Sequence, residues 1–301
     1  MTWRTILVED SEKLRLKLDN ILIEKESKEY IIPLSDISII VLDGQTTSIT
    51  TRLLTAISKH NIGLVTCNHE HHPIGMYHGF YTHSRASKML QKQINLSERF
   101  KEQLWTQIIK FKIENQKQVL ELCYKNEVTI DKLEDYIESV QHYDKTNREG
   151  HAAKVYFNEM FGMTFTRDDK NNVFNAGLNY GYAILRAHLA RLIVGYGLTP
   201  ALGVFHRSEY NAFNLADDLI EVFRPFVDYL VYEMMYKEEY FTRYHRLQLV
   251  DMINHRCVYQ NGTYTLQDTM KKFVIDILSA YEDEEISYIK RPRVETYEVL
   301  K

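Results

Sequence analysis

The feature that most constrains the fold is a change in the spacing of apolar residues near residue 83. Before this point, short runs of Ile, Leu and Val alternate with polar residues and are separated by Asp, Asn, Ser and Gly, as in half-buried strands. After it, apolar residues recur at intervals of three and four, the pattern of amphipathic helices. We therefore predict an α+β fold with a small N-terminal β-sheet domain and a larger all-α C-terminal domain.

The two predicted domains span residues 1–84 and 85–301. Five prolines in the whole chain and no Gly/Ser-rich stretch leave no long linker between them. One helix, ITTRLLTAISKHN, is expected within the β domain, and GLVTCN with IGMYHGFY should form its last hairpin. The strands are expected in TILVE, KLRLKLD, NILIEKE, YIIPL and DISIIVLDG.

Composition excludes several protein classes. The 301 residues are 45% hydrophobic, which is enough for a sizeable core and argues against disorder. The three cysteines are widely spaced, so neither a disulfide framework nor a paired-cysteine zinc site is indicated. No run of about eighteen apolar residues and no secretory signal is present. We therefore expect a soluble, cytoplasmic protein that does not contact a membrane.

Charge is distributed unevenly, although the formal net charge is only −4. The range from Arg85 to Lys117 contains eight basic and three acidic residues, whereas the range from Leu215 to Tyr240 contains seven acidic and two basic residues. This layout suits a protein that holds a polyanion at a basic surface and reacts it at a metal in an acidic centre. Solvated helix faces are the alternative interpretation.

One histidine-rich segment, NHEHHPIGM, resembles a metal site at first sight. Its members His69, Glu70, His71 and His72 are adjacent in sequence, so their side chains point in divergent directions. Pro73 and Gly75 follow between two strand-like runs, which favours an exposed hairpin loop.

A second cluster lies in GVFHRSEYNAFNLADDLIEVFRP, residues 203–225. Asn214 is expected to cap a helix, with Asp217 at its third position accepting hydrogen bonds from free backbone amides. Asp218 and Glu221 share a face that turns toward the interior, which makes them harder to explain as surface acids. A simple ion pair between Glu221 and Arg224 is the structural alternative.

His206 and Glu149 complete the candidate metal site. His206 precedes the acidic helix by a short polar segment and is placed to share a cation with Glu221. Glu149 begins a helix that Asn147 is expected to cap, and dipole stabilisation by a first-turn acid is the alternative role. One imidazole and two or three carboxylates suit Mg²⁺ or Mn²⁺ better than zinc.

Three blocks of the sequence together resemble a known family. Glu149-Gly150 with AAKVYF, then FNAGLNYGYAIL at 174–185, then GLTPALGVFHRSEYNAFNLADDLIEVFRPFVD at 197–228 are similar, in this order, to CRISPR-associated protein one, the spacer-capturing integrase. The resemblance covers the whole chain. It implies a metal held by Glu149, His206 and Glu221. It also implies a further catalytic acid, which is Asp218 by the family spacing, with the neighbouring Asp217 as the alternative. The predicted DNA contacts are Arg85, Lys88, Lys92, Arg207 and Arg224.

The resemblance also implies an activity and partners. It implies a metal-dependent DNA endonuclease and integrase that joins protospacer 3′-hydroxyl ends to the CRISPR repeat by transesterification. The absence of a GxxxxGK[ST] loop agrees with a reaction that needs no nucleotide. Family members form homodimers through the β domain, and two dimers flank a dimer of CRISPR-associated protein two. The WRTILVE start looks most like the type II-A branch, where an accessory ring protein and the effector nuclease also take part.

Two other functions remain open at this level. One is a structure-selective DNA nuclease that uses water as the nucleophile at the same metal. The other is a helical DNA-binding or metal-sensing assembly protein without catalysis, in which the same side chains serve structure or regulation. Sequence spacing does not distinguish these from an integrase.

Overall fold

The computed structural model of the chain describes residues 4–9, 13–79 and 83–298. Its N-terminal part consists of strands with one helix, as predicted, and each predicted apolar run forms a strand. The two-residue strand Ser48–Ile49 was not predicted, because Ile49 was assigned to the helix, which begins at Thr51. The elements are β1 (Arg4–Val8), β2 (Lys13–Lys17), β3 (Asn20–Lys25), β4 (Lys28–Pro33), β5 (Ile37–Leu42), β6 (Ser48–Ile49), α1 (Thr51–Lys59), β7 (Gly63–Cys67) and β8 (Pro73–Tyr77).

These eight strands form two four-stranded sheets, ordered β1-β5-β7-β8 and β4-β3-β2-β6. In the first sheet β1, β5 and β7 are parallel, and β8 returns antiparallel to β7. All six residues of β5 are buried, since both faces of the strand are covered. Ile40 and Leu42 join the core of the β region, whereas Ile39 and Val41 join the core of the helical region. The first sheet thus packs directly on the helices that follow.

The rest of the chain is mostly helical. Its elements are α2 (Ala86–Ile94), α3 (Glu98–Leu122), α4 (Glu127–Ser139), α5 (Arg148–Phe161), α6 (Val173–Gly195), α7 (Asn214–Ile220), α8 (Arg224–Met235), α9 (Arg243–Asp251), β9 (Arg256–Tyr259), β10 (Gly262–Thr265), α10 (Leu266–Asp283) and β11 (Arg293–Glu298).

Helix α6 is the central element of the helical region. It contacts the helices α7, α8, α9 and α10. It also contacts the first sheet through strands β5, β7 and β8. Gly181 lets α8 approach closely, because a Cβ at this position would lie 2.5 Å from Val227 Cγ1. This tight crossing brings the acid-rich α7–α8 region against the middle of the fold.

The structure confirms the α+β prediction, with corrections in the helical part. The C-terminal region is not entirely helical, because β9, β10 and β11 form a three-stranded antiparallel sheet ordered β10-β9-β11. The acidic helix is also shorter than expected. It ends at Ile220, and a turn separates it from α8, where Pro225 occupies an early position that needs no backbone N–H donor.

The predicted domain boundary at residue 84 stays a prediction, since residues 80–82 lie outside the described residues. Trp3, in the start that resembled the type II-A branch, lies outside them too. Within 4–9, 13–79 and 83–298, no helix is both long and apolar enough to span a membrane.

Candidate active site

Glu149 lies in the first turn of α5, and a buried aspartate holds that turn in place. Asp144 accepts hydrogen bonds from the backbone N–H groups of Arg148 (2.7 Å) and Glu149 (2.9 Å). The prediction that Asn147 caps this helix was therefore wrong. Asn147 adopts a left-handed backbone conformation (φ 51°) and makes no capping bond with its side chain. Asp144 fulfils the role of a cap and leaves the Glu149 side chain free to point elsewhere.

Glu221 occupies the turn between α7 and α8, where it is 4% exposed. Arg224 Nε donates to Glu221 Oε1 at 2.7 Å, which confirms the ion pair considered from the sequence. The second oxygen, Oε2, contacts the ammonium of Lys112 on α3. Burial opposes ionisation of Glu221, but Arg224 and Lys112 outweigh it and hold the pKa of the carboxyl below its usual value.

Lys112 links the two glutamates. Its Nζ lies 2.5 Å from Glu149 Oε1 as well as against Glu221 Oε2, and its side chain is only 9% exposed. Burial works against its charge, yet the two carboxylates raise the pKa of Lys112. Sequence reasoning counted Lys112 among the eight basic residues of a DNA-binding surface, but the structure buries it inside the acidic centre.

The turn that carries Glu221 is braced from a distance. Asn115, fully buried on α3, donates its amide to the Val222 carbonyl at 2.9 Å. Arg291, just before β11, donates to Asn115 Oδ1 at 2.8 Å and pairs with Glu114 at 3.1 Å. The C-terminal sheet region therefore helps to position the turn, which the predicted all-helical domain did not anticipate.

His206 lies in the loop between α6 and α7 and is held by Asp218. Its Nδ1 lies 2.7 Å from Asp218 Oδ1, and this hydrogen bond is the largest cause of the raised pKa of His206. The imidazole also packs edge-on against Trp105, which in turn stacks on Phe205 at 4.2 Å. With Nδ1 engaged, Nε2 is the nitrogen available to a ligand.

Asp218 is fully buried and organises the whole histidine loop. Its Oδ2 accepts from the N–H groups of Val204 (2.5 Å) and Phe205 (3.1 Å), and its Oδ1 also accepts from the His206 N–H (3.1 Å). Gly203 is required beside it, because a Cβ there would lie 2.8 Å from Asp218 Oδ2 and 2.3 Å from the His206 carbonyl oxygen.

Asp217 has a different environment from its neighbour. Its Oδ2 accepts from the Asn211 amide at 2.8 Å, and its Oδ1 lies 3.7 Å from Arg186. The predicted capping arrangement was wrong, because α7 begins at Asn214 itself. The Asn214 amide instead donates to the carbonyls of Ala201 and Ser208. The contacts thus link Asp218, and not Asp217, to His206.

A cavity of about 220 Å³ opens beside the linked glutamates. Glu149, Glu221 and Lys112 line it together with Gln116, Phe157, Arg167, Tyr182, Arg224 and Asp228. Arg167, Tyr182 and Arg224 also line a larger cleft of about 750 Å³, so the two spaces share a wall. The guanidinium groups of Arg167 and Arg224 lie 5.5 Å and 4.5 Å from the Tyr182 ring centroid.

Sequence reasoning missed several of these lining residues, namely Gln116, Phe157, Arg167, Tyr182 and Asp228. Asp228 is 1% exposed and accepts a short hydrogen bond from Tyr182 Oη. Burial raises the pKa of Asp228 to about 6, although Tyr182, Arg167 and Arg224 lower it. The only sequence signal for Asp228 was a lone acid on an otherwise apolar stretch of α8.

The predicted DNA contacts fall into two places. Arg224 lines both cavities, and Arg207, next to His206, pairs with Glu98 at 3.0 Å. The other three, Arg85, Lys88 and Lys92, lie on or beside α2 and do not line the cavity around the glutamates. Helix α2 is nevertheless tied to the loop that leads to His206, because buried Gln93 donates to the carbonyls of Thr199 and Leu202.

The histidine-rich segment forms the hairpin turn between β7 and β8, which confirms that interpretation. His71 Nδ1 lies 2.8 Å from Asp43 Oδ1 at the end of β5, so this histidine has a structural partner. Glu70 and His72, however, line the larger cleft opposite Arg167 and Arg186. The turn therefore contributes side chains to the cleft.

The donor groups fit a divalent ion in part. No group of three or more His, Cys, Asp or Glu side chains in the described residues is arranged as a ready metal cluster. Glu149 and Glu221, however, lie on either side of a single positive charge, and Glu221 contributes to the raised pKa of His206. Carboxylate oxygens with one imidazole are ligands suited to Mg²⁺ or Mn²⁺.

Comparison with known proteins identifies the family. The model of CRISPR-associated protein Cas1 matches residues 5–246, which is most of the chain and includes every residue described for the candidate site except Arg291. The chain belongs to the Cas1 family. The CRISPR-associated endonuclease Cas1 of Neisseria meningitidis serogroup C is 36% identical over 297 residues, covering 98% of this chain and 97% of that protein.

More distant relatives agree with this assignment. A CRISPR-associated endonuclease Cas1 of Saccharolobus solfataricus is 29% identical over 240 residues, with 76% of this chain and 74% of that protein covered. Among solved structures, a casposase bound to integration product matches with a TM-score of 0.78 at 18% identity, covering 99% and 96% of the two chains. A Cas1 protein from Thermotoga maritima matches with a TM-score of 0.73 at 18% identity, covering 93% and 97%. These structures share the Cas1 fold.

Proposed function

We propose that this Cas1 protein is a metal-dependent DNA endonuclease and integrase of CRISPR adaptation. The observation that carries the proposal is the convergence of Glu149 and Glu221 on one buried cation, in a chain of the Cas1 family. Glu149, Glu221 and His206 Nε2 would hold Mg²⁺ or Mn²⁺. When bound, such an ion would polarise a phosphodiester and stabilise the charge that develops in the transition state.

The protein's own groups would orient the reactants. Asp218 holds His206 through Nδ1; in the neutral ring that donates from Nδ1, the lone pair lies on Nε2 and its direction is fixed. Arg224 and Arg167 stand on the wall shared by the two cavities, where their guanidinium groups can bind phosphate oxygens. Arg167 is held by hydrogen bonds to Asn175 and Asn179, and Arg224 by its hydrogen bond to Glu221. Both guanidinium groups also contact the Tyr182 ring.

The proposed reaction is an exchange of phosphate esters. The 3′-hydroxyl oxygen of a protospacer strand bonds to the phosphorus at a repeat boundary, and the bond from that phosphorus to the repeat 3′-oxygen breaks. One ester replaces another, so no nucleotide cofactor is consumed. Double-stranded DNA of the protospacer and the repeat would be the substrates. The casposase that matches this chain is bound to an integration product, which supports this choice over hydrolysis.

The proposed partners are a second copy of this chain and Cas2. A chain of a Cas6-RT-Cas1–Cas2 complex matches with a TM-score of 0.75 at 17% identity and covers 99% of this chain and 36% of that one. This likeness supports an assembly with Cas2. We further propose that the β region forms the homodimer contact and that two dimers flank a Cas2 dimer.

Strand transfer tests the proposal directly. Full-length protein with Mn²⁺, labelled protospacer with free or blocked 3′ ends and a supercoiled repeat plasmid should give joined product only with free ends. Glu149→Gln, His206→Ala and Glu221→Gln should each abolish joining while DNA binding is largely kept. Glu209→Gln is the matched control, because Glu209 is an exposed acid three residues after His206.

Two results would contradict the proposal. Equal product with blocked ends would identify hydrolysis by water as the main activity. Unchanged joining in all three site variants would show that these side chains do not carry the chemistry and would favour a non-catalytic role.

A further inference from the structure

Four charged groups at the candidate site already balance one another. The carboxylates of Glu149 and Glu221 contact the ammonium of Lys112, and Oε1 of Glu221 lies 2.7 Å from Arg224 Nε. Two negative charges therefore meet two positive charges. A divalent ion bound between the two carboxylates would lie directly beside the ammonium of Lys112, and two cations at such short range repel each other strongly in a buried site.

Lys112 is the group that must move when a divalent ion binds the two glutamates. Its ammonium contacts one oxygen of each glutamate, whereas Arg224 contacts Glu221 alone. An ion that binds both carboxylates competes for the oxygens that Lys112 now uses. The lysine side chain is long and flexible, so the ammonium can leave this position without movement of α3.

The structure also contains an acceptor for the displaced ammonium. Gln116 follows Lys112 by one helical turn and lines the same cavity of about 220 Å³. Gln116 is 1% exposed, and its buried Oε1 has no hydrogen-bond partner among the residues that the structure describes. A buried carbonyl oxygen without a donor is unfavourable and rare. Residues four apart on a helix face the same side, so the ammonium of Lys112 is within reach of this oxygen after a change of rotamer.

We propose that Lys112 is an internal counter-cation that the divalent ion displaces from between Glu149 and Glu221 toward Gln116. It is a positioning residue, because it keeps the two carboxylates together in the metal-free protein. It also lowers metal affinity, because each binding event must first break its contacts. This inference rests on the proposed metal site and adds to it a switch between two cations.

The inference gives opposite expectations for two variants. Lys112→Met keeps the length of the side chain and removes the charge, so Mn²⁺ should bind about tenfold more tightly or better, since a neighbouring charge shifts ionic equilibria by one to three powers of ten. The metal-free variant should melt at lower temperature than wild type, and Mn²⁺ should raise its Tm by more. Gln116→Leu removes the receiving oxygen and should weaken Mn²⁺ binding several-fold without loss of stability.

The experiment is titration of Mn²⁺ into the full-length protein, followed by electron paramagnetic resonance and by thermal melting. Lys110→Met is the matched control, because Lys110 is on the same helix and, among the described residues, makes no ion pair with either glutamate. Its Mn²⁺ affinity should equal that of wild type. Equal or weaker Mn²⁺ binding by Lys112→Met would overturn the inference. If that variant does not fold, unchanged affinity in Gln116→Leu would overturn it.

Failure of the inference is distinguishable from failure of the proposed metal site. If wild type binds Mn²⁺ and Glu149→Gln abolishes binding, the metal site stands whatever the result for Lys112→Met. If Glu149→Gln does not change Mn²⁺ binding relative to wild type, the proposed metal site fails and the inference fails with it.

Discussion

Replacement of Asp218 by Asn should uncouple the loop that carries His206 from metal binding. The carboxylate accepts four hydrogen bonds, two at each oxygen, from three backbone N–H groups and from His206 Nδ1. An Asn side chain has only one oxygen. Its NH₂ group, itself a donor, must therefore take the place of the other oxygen and face the donors that this oxygen now accepts from. The orientation follows from burial. The Val204 N–H is buried, so the amide oxygen should remain with it.

This orientation places the Asn NH₂ against His206. Nδ1 would then have to accept a hydrogen bond, which moves the ring proton to Nε2 and removes the lone pair that a metal ion needs. Loss of such an orienting partner typically lowers metal affinity by about 10- to 100-fold. The Asn NH₂ would also face the backbone N–H of His206, which then has no acceptor, and this should lower the free energy of unfolding by about 1–3 kcal/mol. Asp218→Ala, which leaves every donor without its acceptor, should cost about 3–5 kcal/mol.

Urea denaturation and Mn²⁺ titration of full-length protein measure the two effects. Asp217→Asn is the matched control: it removes an adjacent acid whose partners are Asn211 and Arg186, so both quantities should stay near wild type. Wild-type Mn²⁺ affinity in Asp218→Asn, at unchanged stability, would refute this account of how the histidine is held.

Three further outcomes are expected. Gly203→Ala should lose about 1–3 kcal/mol in urea denaturation and most strand transfer, since the new Cβ meets the His206 carbonyl and Asp218; wild-type behaviour would contradict the close approach. Burial raises the pKa of Asp228 from its ordinary value of 3.8 to about 6, so the folded state holds the proton more strongly than the unfolded state does. The stabilisation from this group is therefore present below pH 4 and is lost as the pH rises through about 6. In the wild-type protein the free energy of unfolding should fall by about 3 kcal/mol from this group between pH 4 and 7, and Asp228→Asn should remove that fall. Parallel pH profiles of the unfolding free energy in the two proteins would contradict this prediction. Neutralising the basic residues of α2 should weaken DNA binding and flatten its dependence on salt, and an unchanged salt slope would exclude this surface; the substitutions are Arg85→Gln, Lys88→Gln and Lys92→Gln.

The sequence predicts the elements of the fold well where the apolar period is long or strict. The strands of the β region and long helices such as α3 and α6 follow directly from it. It fails for β9 and β10, because RCVY and GTYT are four-residue strands without a clear alternation of apolar and polar side chains. The break at Glu221 was also missed, although Pro225 is a local signal for a new helix start.

The candidate site is only partly readable from the sequence, because tertiary contacts decide the roles of its side chains. Asp217 and Asp218 are chemically identical neighbours, and only the position of the histidine loop assigns one to His206. Lys112 looks like any surface lysine of a basic helix. Its contact with Glu149, 37 residues away, depends on the packing of α3 against α5. Spacing along one helix carries no information about either contact.

The brace formed by Arg291 and Asn115 has a consequence for synthesis of the protein. Asn115 holds the Val222 carbonyl beside Glu221, and Arg291 in turn holds Asn115. A nascent chain therefore folds its β region long before the turn at Glu221 can be fully supported. Ribosomes must translate past residue 291 before this support exists. The turn that carries Glu221 therefore gains its last side-chain support only when almost the whole chain has been synthesised.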